Sequence, residues 1–378
     1  MLKRKLDISK ELKPGKVLLI LGPRRVGKTT LLQEFMRTIP EKDFLFFRGD
    51  DLSAQRALES PDSTLLLPLV GEKKYLFIDE AQDIPNIGQT LKLIVDILPS
   101  IQILATGSSA FELNGQIGEP LTGRKITKHM YGLSQGEIQS NSETPRYIDK
   151  NSLENYMIYG TYPSVLTSKT FEEKQIQINE IVNSYLLRDI LAYKDIKGAR
   201  IIIQLLTLIA HQIGSEVSMV ELAGKLQIDK NTVARYLDLL EKSYILFRLG
   251  GFSRNMRSEV TKYPKYYFYD LGIRNGVIEN FNAIEKRDDV GKLWENYCVI
   301  ERLKFHEQNN IFANHYFWRT WEQSEIDLVE ESDGILRGYE IKWNTKLKAS
   351  APKQWTEAYG DKATWQEVNP SNFLDFVS

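Results

Sequence analysis

At 378 residues the chain is long enough for two to three domains, and its 42% hydrophobic and 26% charged residues are the balance of an ordinary folded protein with ample core. A formal charge of −1 excludes a polyanion-binding surface spread over the whole molecule, so any nucleic-acid face must be a local patch. Cys298 is the single cysteine, which excludes an intrachain disulfide framework and fits a reducing compartment. No apolar run reaches membrane-spanning length and the opening MLKRKLDISKELKPGK lacks the apolar centre of a signal peptide, so a cytoplasmic location is expected. His129, His211, His306 and His315 show no metal-ligand spacing, and core or surface roles are expected for them.

The first 140 residues alternate buried strand-like runs (Val17 to Leu21, Phe44 to Phe47, Tyr75 to Ile78, Ile101 to Ala105) with helical stretches, the pattern of a parallel sheet covered on both faces. The first run ends in Gly22-Pro-Arg24-Arg25-Val26-Gly27-Lys28-Thr29-Thr30, and apolar Leu31, Leu32 and Phe35 follow at helical spacing. Strand, glycine loop with Lys-Thr, and helix in that order form a phosphate-binding loop, which implies ATP with Mg²⁺. Glycine backbone lets N–H groups close around phosphate oxygens, and the helix N-terminus adds partial positive charge. Lys28 would reach the β- and γ-phosphates, and Thr29 would hold Mg²⁺.

The run Tyr75-Leu-Phe-Ile-Asp79-Glu80 ends in two carboxylates. Asp79 is placed to hold Mg²⁺ through water, and Glu80 to orient and deprotonate an attacking water, so hydrolysis is expected rather than binding alone. The next run ends in Thr106-Gly-Ser108-Ser109, where Ser108 is the leading candidate for sensing the γ-phosphate and loop capping is the alternative. Arg124 is a candidate arginine finger or a plain surface arginine, and the direction of Arg24 and Arg25 is not readable.

Residues 141 to 152 read as a polar surface loop and domain edge, and helical periodicity then dominates from about 153 to 210, broken by Gly160 and Pro163. Ser218-Met-Val-Glu221 is a capping box ahead of a short helix bearing Val220, Ala223 and Leu226. A second helix with Val233, Leu237 and Leu240 on one face follows, then aromatic strand material at Tyr244 to Leu249 and Tyr266 to Tyr269. Two short helices and strands suggest a winged helix-turn-helix with Lys230, Arg235 and Lys242 outward, where DNA phosphates would lie. Seven basic against five acidic residues between His211 and Arg257 is a weak excess, so DNA reading and a packing-only role both stand.

A second concentration of charge lies at Ser324-Glu-Ile-Asp327 and Gly338-Tyr-Glu340-Ile-Lys342. If these strands pair as a hairpin across Glu331 to Leu336, Asp327, Glu340 and Lys342 converge on one face, with Glu295 of an upstream helix as a fourth group. Such a set suits a divalent ion and a water directed at a phosphodiester, while the alternative is a strand pair carrying a salt bridge such as Glu340 to Lys342. Five basic residues between Arg337 and Lys353 (Arg337, Lys342, Lys346, Lys348, Lys353) stand against one acid, Glu340, where a phosphate backbone could lie.

With these motifs the chain resembles a prokaryotic family of AAA-type P-loop ATPases that end in a restriction-endonuclease-like domain of unknown function. The likeness rests on Gly22 to Thr30, Phe77-Ile-Asp-Glu80, Thr106-Gly-Ser-Ser-Ala110, Leu121-Thr-Gly-Arg124, Tyr266-Tyr-Phe-Tyr-Asp-Leu-Gly-Ile-Arg274 and Asp327 with Glu340-Ile-Lys342. The resemblance implies a P-loop at Gly22 to Thr29, a Mg²⁺ aspartate at Asp79, a catalytic glutamate at Glu80 and a nuclease-like triad of Asp327, Glu340 and Lys342. The pattern departs at Ile326, where a proline often precedes the aspartate. The expected fold is α/β: a P-loop NTPase sheet over 1–140, a helical lid over 141–210, a winged helix-turn-helix over 211–280 and a restriction-endonuclease-like α/β domain over 281–378. Expected partners are ATP, DNA and either a homo-oligomer or a protein partner, with no membrane. The function expected is Mg²⁺-dependent ATP hydrolysis controlling a DNA-directed C-terminal half with metal-dependent cleavage; the alternative is an ATP-driven switch or scaffold with an inactive nuclease-like domain.

Overall fold

The computed structural model describes residues 2–108, 120–142, 148–183, 199–254, 263–344 and 350–377. Ser109, Ala110, Arg257, Lys346 and Lys348, which the sequence analysis singles out, lie outside the described residues. The chain divides into two compact units, Arg4–Tyr131 with Lys242–Tyr244 and, separately, Gly132–Glu241 with Ile245–Ser378 and the first three residues. No helix among the described residues is long and apolar enough to cross a membrane.

The first unit is built on a parallel sheet of β1 (Val17–Leu21), β2 (Phe44–Arg48), β3 (Tyr75–Asp79), β4 (Gln102–Gly107) and β5 (Lys125–His129), in the order β2-β3-β4-β1-β5. It is the parallel α/β sheet of a P-loop NTPase. The four expected strands are β1 to β4; Lys125–His129, a mixed polar run of half-buried residues, gave no apolar signal and still closes the sheet beside β1. All five residues of β1 are buried, because β4 and β5 flank the strand on both sides. Parallel pairing brings the C-terminal ends of β1, β3 and β4 to one edge of the sheet. The chain leaves β1 for the far side of that sheet, which makes the edge beside β1 the switch point where α/β sheets bind ligands.

In the second unit, helix Lys150–Tyr159 stops at Gly160, whose φ of 75° suits glycine, and the next helix opens with Pro163 at its first turn. The Tyr266–Arg274 motif has a packing role. A Cβ on Gly272 would stand 2.1 Å from the Tyr159 carbonyl oxygen, and buried Asp270 accepts the Thr161 N–H at 2.7 Å. Buried Arg274 donates to the Ala210 carbonyl at 2.8 Å and to Asp289 at 2.7 Å.

Helices Ala199–His211, Met219–Leu226 and Lys230–Lys242 precede an antiparallel pair, β6 (Leu246–Gly251) and β7 (Lys265–Phe268). Ser218 accepts the Glu221 N–H at 3.4 Å, as a helix cap should, and Val233, Leu237 and Leu240 form the buried stripe of the third helix. The strand pair is not a free hairpin. β6 also pairs in parallel with β8 (Asn314–Arg319), so it joins β9 (Glu325–Ser332), β10 (Ile335–Ile341) and β11 (Ala363–Val368) in a mixed sheet ordered β11-β10-β9-β8-β6-β7.

The expected hairpin of β9 and β10 is present, turning through Asp333 and Gly334 at φ of 53° and 76°. Opposite it, two steps of β8 (Tyr316 to Trp318) face three of β9 (Val329 to Ile326), so β9 carries an extra residue beside Asp327. That bulge puts Ile326 and Val329 into one core cluster with Phe252, Trp318, Leu336 and Trp355. Helix Val290–Asn309 carries Glu295, Arg302 and His306.

Candidate functional site

The loop after β1 is closed by contacts that only glycine permits. A Cβ on Gly22 would fall 2.0 Å from the Met130 carbonyl oxygen, and Gly27, at φ 98°, begins helix Lys28–Met36. Arg25 (φ 64°) and Gly27 are left-handed on either side of buried Val26, an alternation of hand of the kind that anion-binding backbone nests use. Lys28 is buried, and its ammonium donates to the Gly22 and Pro23 carbonyls at 2.9 and 2.8 Å. Thr30 lies in the first turn of the same helix.

Asp79 ends β3 and is buried against that loop. The Thr29 hydroxyl donates to its two carboxylate oxygens at 3.1 and 2.8 Å. From β4 the Thr106 hydroxyl donates to Asp79 Oδ1 at 2.5 Å and accepts the Glu80 N–H at 3.0 Å. Thr106 is therefore a site residue that sequence reasoning did not single out, although it opens the Thr-Gly-Ser motif at the end of the adjacent strand. Oxygen donors from Thr29 and Asp79, beside a buried lysine, fit Mg²⁺ with a nucleotide phosphate.

Glu80 follows in left-handed conformation (φ 52°, ψ 47°), and its carbonyl presses on Gly49, where a Cβ would stand 2.1 Å away. Its carboxylate accepts the Gln82 amide at 2.6 Å, and Gln82 in turn accepts the Ser108 N–H at 3.1 Å. The Ser108 hydroxyl is fully buried and has no hydrogen-bond partner among the described residues. Arg124 is not brought here. It precedes β5 at the opposite end of the sheet, about 16 Å of strand away, and pairs with Asp96 at 2.6 Å, so it reaches no phosphate at its own chain's loop. Arg24 and Arg25 each interact with another group of the chain.

In the second unit Asp327 on β9 and Glu340 on β10 stand across the hairpin, next to the Tyr339–Leu328 pair. The Ile341 N–H donates to Asp327 at 2.8 Å. Lys342 pairs with Glu340 at 2.6 Å, the salt bridge of the alternative reading. Glu295 is close by, held by the buried Tyr267 hydroxyl at 2.6 Å and by Lys265 at 3.3 Å. Lys265, only 3% exposed, also pairs with Glu325 at 2.6 Å. Sequence spacing gave no sign of this lysine, because β7 reaches the cluster only through the six-stranded sheet.

Burial and then the Glu295 charge push the Asp327 carboxyl up to about 7 from 3.8, while burial and the Asp327 charge raise Glu340. Burial works against the Lys265 ammonium, but Glu295, Asp327 and Glu325 outweigh it and hold the group above its ordinary value.

Glu295, Asp327 and Glu340 do not converge as metal ligands. Among the described residues the group that brings three such ligand atoms within 4.8 Å of one another is His306, His315 and Glu330. Spacing missed this meeting of a helix and two strands. Glu330 already accepts from Arg302 at 2.7 and 3.1 Å and from the Tyr339 hydroxyl at 3.3 Å, and burial holds His306 down at about 4, so the cluster is a satisfied buried network.

Comparison with known proteins gives three matches in tandem. Residues 14–139 match the family described as AAA domain, 150–283 a domain of unknown function (DUF8612) and 290–371 a domain of unknown function (DUF4143). The chain thus joins an AAA domain of the P-loop ATPase type to a C-terminal DUF4143 domain. An uncharacterized protein of Mycobacterium tuberculosis is 29% identical over 86% of this chain and 70% of its own length. One from Haemophilus influenzae is 25% identical over 76% and 74%. Among solved structures, the Walker-type ATPase paby2304 of Pyrococcus abyssi is 17% identical, covers 69% of this chain and 91% of its own, and has a TM-score of 0.45.

Two outcomes are expected. Thr106→Val strips a hydrogen bond from buried Asp79 and from the Glu80 N–H, and should lower stability to chemical denaturation by about 1–3 kcal/mol. For Asp327, the folded chain keeps a proton between pH 3.8 and about 7 that the unfolded chain releases. The stability this group contributes is full below 3.8 and is lost as pH rises through about 7. Asp327→Asn stays neutral, so it should gain on wild type in denaturant midpoint as pH rises across that window; a pH-independent difference would contradict the shift.

Proposed function

We propose that this protein is a Mg²⁺-dependent ATPase whose nucleotide cycle controls a DNA-directed second half. The observation that carries this reading is the Thr29–Asp79–Thr106 clamp beside the Lys28 ammonium at the switch edge of the sheet. In it, backbone N–H groups from Arg24 through Thr30 surround the phosphates, and Lys28 leaves its loop carbonyls for the β- and γ-oxygens. Thr29 and Asp79 would hold Mg²⁺, which supplies charge neutralisation at the phosphates. Glu80 takes the proton of the attacking water, and the unpartnered Ser108 hydroxyl meets the γ-phosphate. The single buried cysteine, Cys298, supports a reducing, cytoplasmic setting.

For the second half we read helices Met219–Leu226 and Lys230–Lys242 with β6 and β7 as a winged helix-turn-helix, and β8 to β11 with helix Val290–Asn309 as the restriction-endonuclease-like domain. Lys230, Arg235 and Lys242 are exposed, which supports a phosphate-facing helix. A second reading, an ATP-driven switch acting on a protein partner through a non-cleaving scaffold, is favoured by one observation. The wing strands are welded into the larger sheet, β6 by pairing with β8 and β7 by the Lys265 ion pairs.

Glu80→Gln is expected to keep ATP affinity while turnover falls by about 10²- to 10⁴-fold, the usual worth of a general base; loss of ATP binding as well would make Glu80 structural. DNA should stimulate wild-type turnover under the first reading and leave it flat under the second. Arg235→Glu should weaken binding to all DNA sequences alike and flatten its salt dependence, checked by fluorescence anisotropy across a salt series. An unchanged slope assigns that helix to packing.

A further inference from the structure

We propose that the Lys265 ammonium takes the place of a divalent ion in the C-terminal carboxylate cluster, so that the nuclease-like pocket of this chain carries its own cation and binds no metal. The inference rests on reading that pocket as nuclease-like and concerns what fills it. A phosphodiester-cleaving site built on carboxylates works by sharing a divalent cation among them. Here the carboxylates of Glu295 and Glu325, from a helix and from β9, meet at a lysine instead, at 3.3 and 2.6 Å from its nitrogen. Three features make Lys265 a built-in part of the site rather than a surface side chain lying over it. It is 3% exposed; its ammonium lies 5.2 Å from the Phe317 ring centroid; and Tyr267, two residues on along β7, donates to the same Glu295 oxygen.

The remaining acids are answered by other groups of the chain. Glu340 has Lys342 at 2.6 Å, and Asp327 has the Ile341 N–H at 2.8 Å. A cation entering among Glu295, Glu325 and Asp327 must approach a fixed ammonium of like charge and is repelled by it. The same repulsion gives the lysine's removal a visible effect. Without Lys265 the three carboxylates lose their shared counter-charge and must find another.

The test is a Mn²⁺ titration of the nucleotide-free full-length chain, followed by calorimetry and by the free-ion electron paramagnetic resonance signal. Wild type and Asp327→Ala should titrate alike, any weak site common to both lying outside the cluster. Lys265→Met, which keeps the stem and drops the charge, should gain a site at least about tenfold tighter than any in wild type, and adding Asp327→Ala should remove it. Lys265→Arg, which keeps the charge, should gain nothing. If Lys265→Met does not fold, Lys265→Gln serves in its place. A wild-type Mn²⁺ site that disappears in Asp327→Ala overturns the proposal, and so does a folded Lys265→Met or Lys265→Gln chain that gains no site. ATP turnover, read separately on Glu80→Gln, reports on the ATPase reading and is untouched by either result.

Discussion

The Asp79 carboxylate is the constraint on which the nucleotide edge depends. It is buried at the end of β3, and a buried anion is costly unless its lone pairs are met. They are met from two directions: by Thr29, the first residue after the loop lysine, and by Thr106 on β4. One side chain therefore ties the phosphate loop to two strands. Thr106 extends the tie by accepting the Glu80 N–H, so Glu80 is fixed by the same hydroxyl that steadies Asp79. The left-handed backbone at Glu80 persists because its surroundings over-determine it, with Gly49 leaving room for its carbonyl. Gln82 then joins the Glu80 carboxylate to the Ser108 backbone, so the end of β4 and the acid following β3 are one hydrogen-bonded unit.

The loop, its helix, the strand ending in Asp79-Glu80 and the strand ending in Thr-Gly-Ser were legible because each is a local pattern: an apolar run and then a residue type that chemistry requires at a strand end. The hairpin joining Asp327 to Glu340 was legible for the same reason, since strand, turn and strand are contiguous. What was hidden is non-local. β5 was missed because Lys125–His129 lacks an apolar run; its place is set by pairing with β1. Thr106 carries no signal apart from its neighbours, and its role follows from β4 lying between β1 and β3. Arg124, attractive as a loop arginine, lies at the wrong end of β5, which strand direction decides and spacing cannot. The bulge in β9 is set by pairing with β8 and has no mark in the local pattern around Asp327. Lys265 and the two histidines of the Glu330 network were out of reach for the same reason, being gathered by sheet order across long stretches of chain.

The departure at Ile326 also gains a physical sense. Its side chain is fully buried in the cluster of Trp318 and Trp355 and lies 3.1 Å from where a Cβ on Gly338 would be. A proline there would lose both that apolar contact and its N–H within a central strand of the sheet. The residue before Asp327 is therefore spent on core packing.

Two carboxylate sites in one chain show opposite electrostatic strategies. Around Asp79, neutral hydroxyls of Thr29 and Thr106 donate to a single acid. Around Asp327, four acids (Glu295, Glu325, Asp327 and Glu340) stand with two lysines, Lys265 and Lys342, and burial, then the neighbouring carboxylate charges, raise Asp327 and Glu340. Retaining Asp327 there costs stability at neutral pH, because the folded chain must hold a proton the solvent would take or bear an unmatched charge. A purely structural cluster would relieve that cost by losing one acid, as the Glu330 network does by matching its acid to Arg302. Under the proposal made for this cluster, the cation its carboxylates receive is the Lys265 ammonium, which Glu295 and Glu325 reach at 3.3 and 2.6 Å.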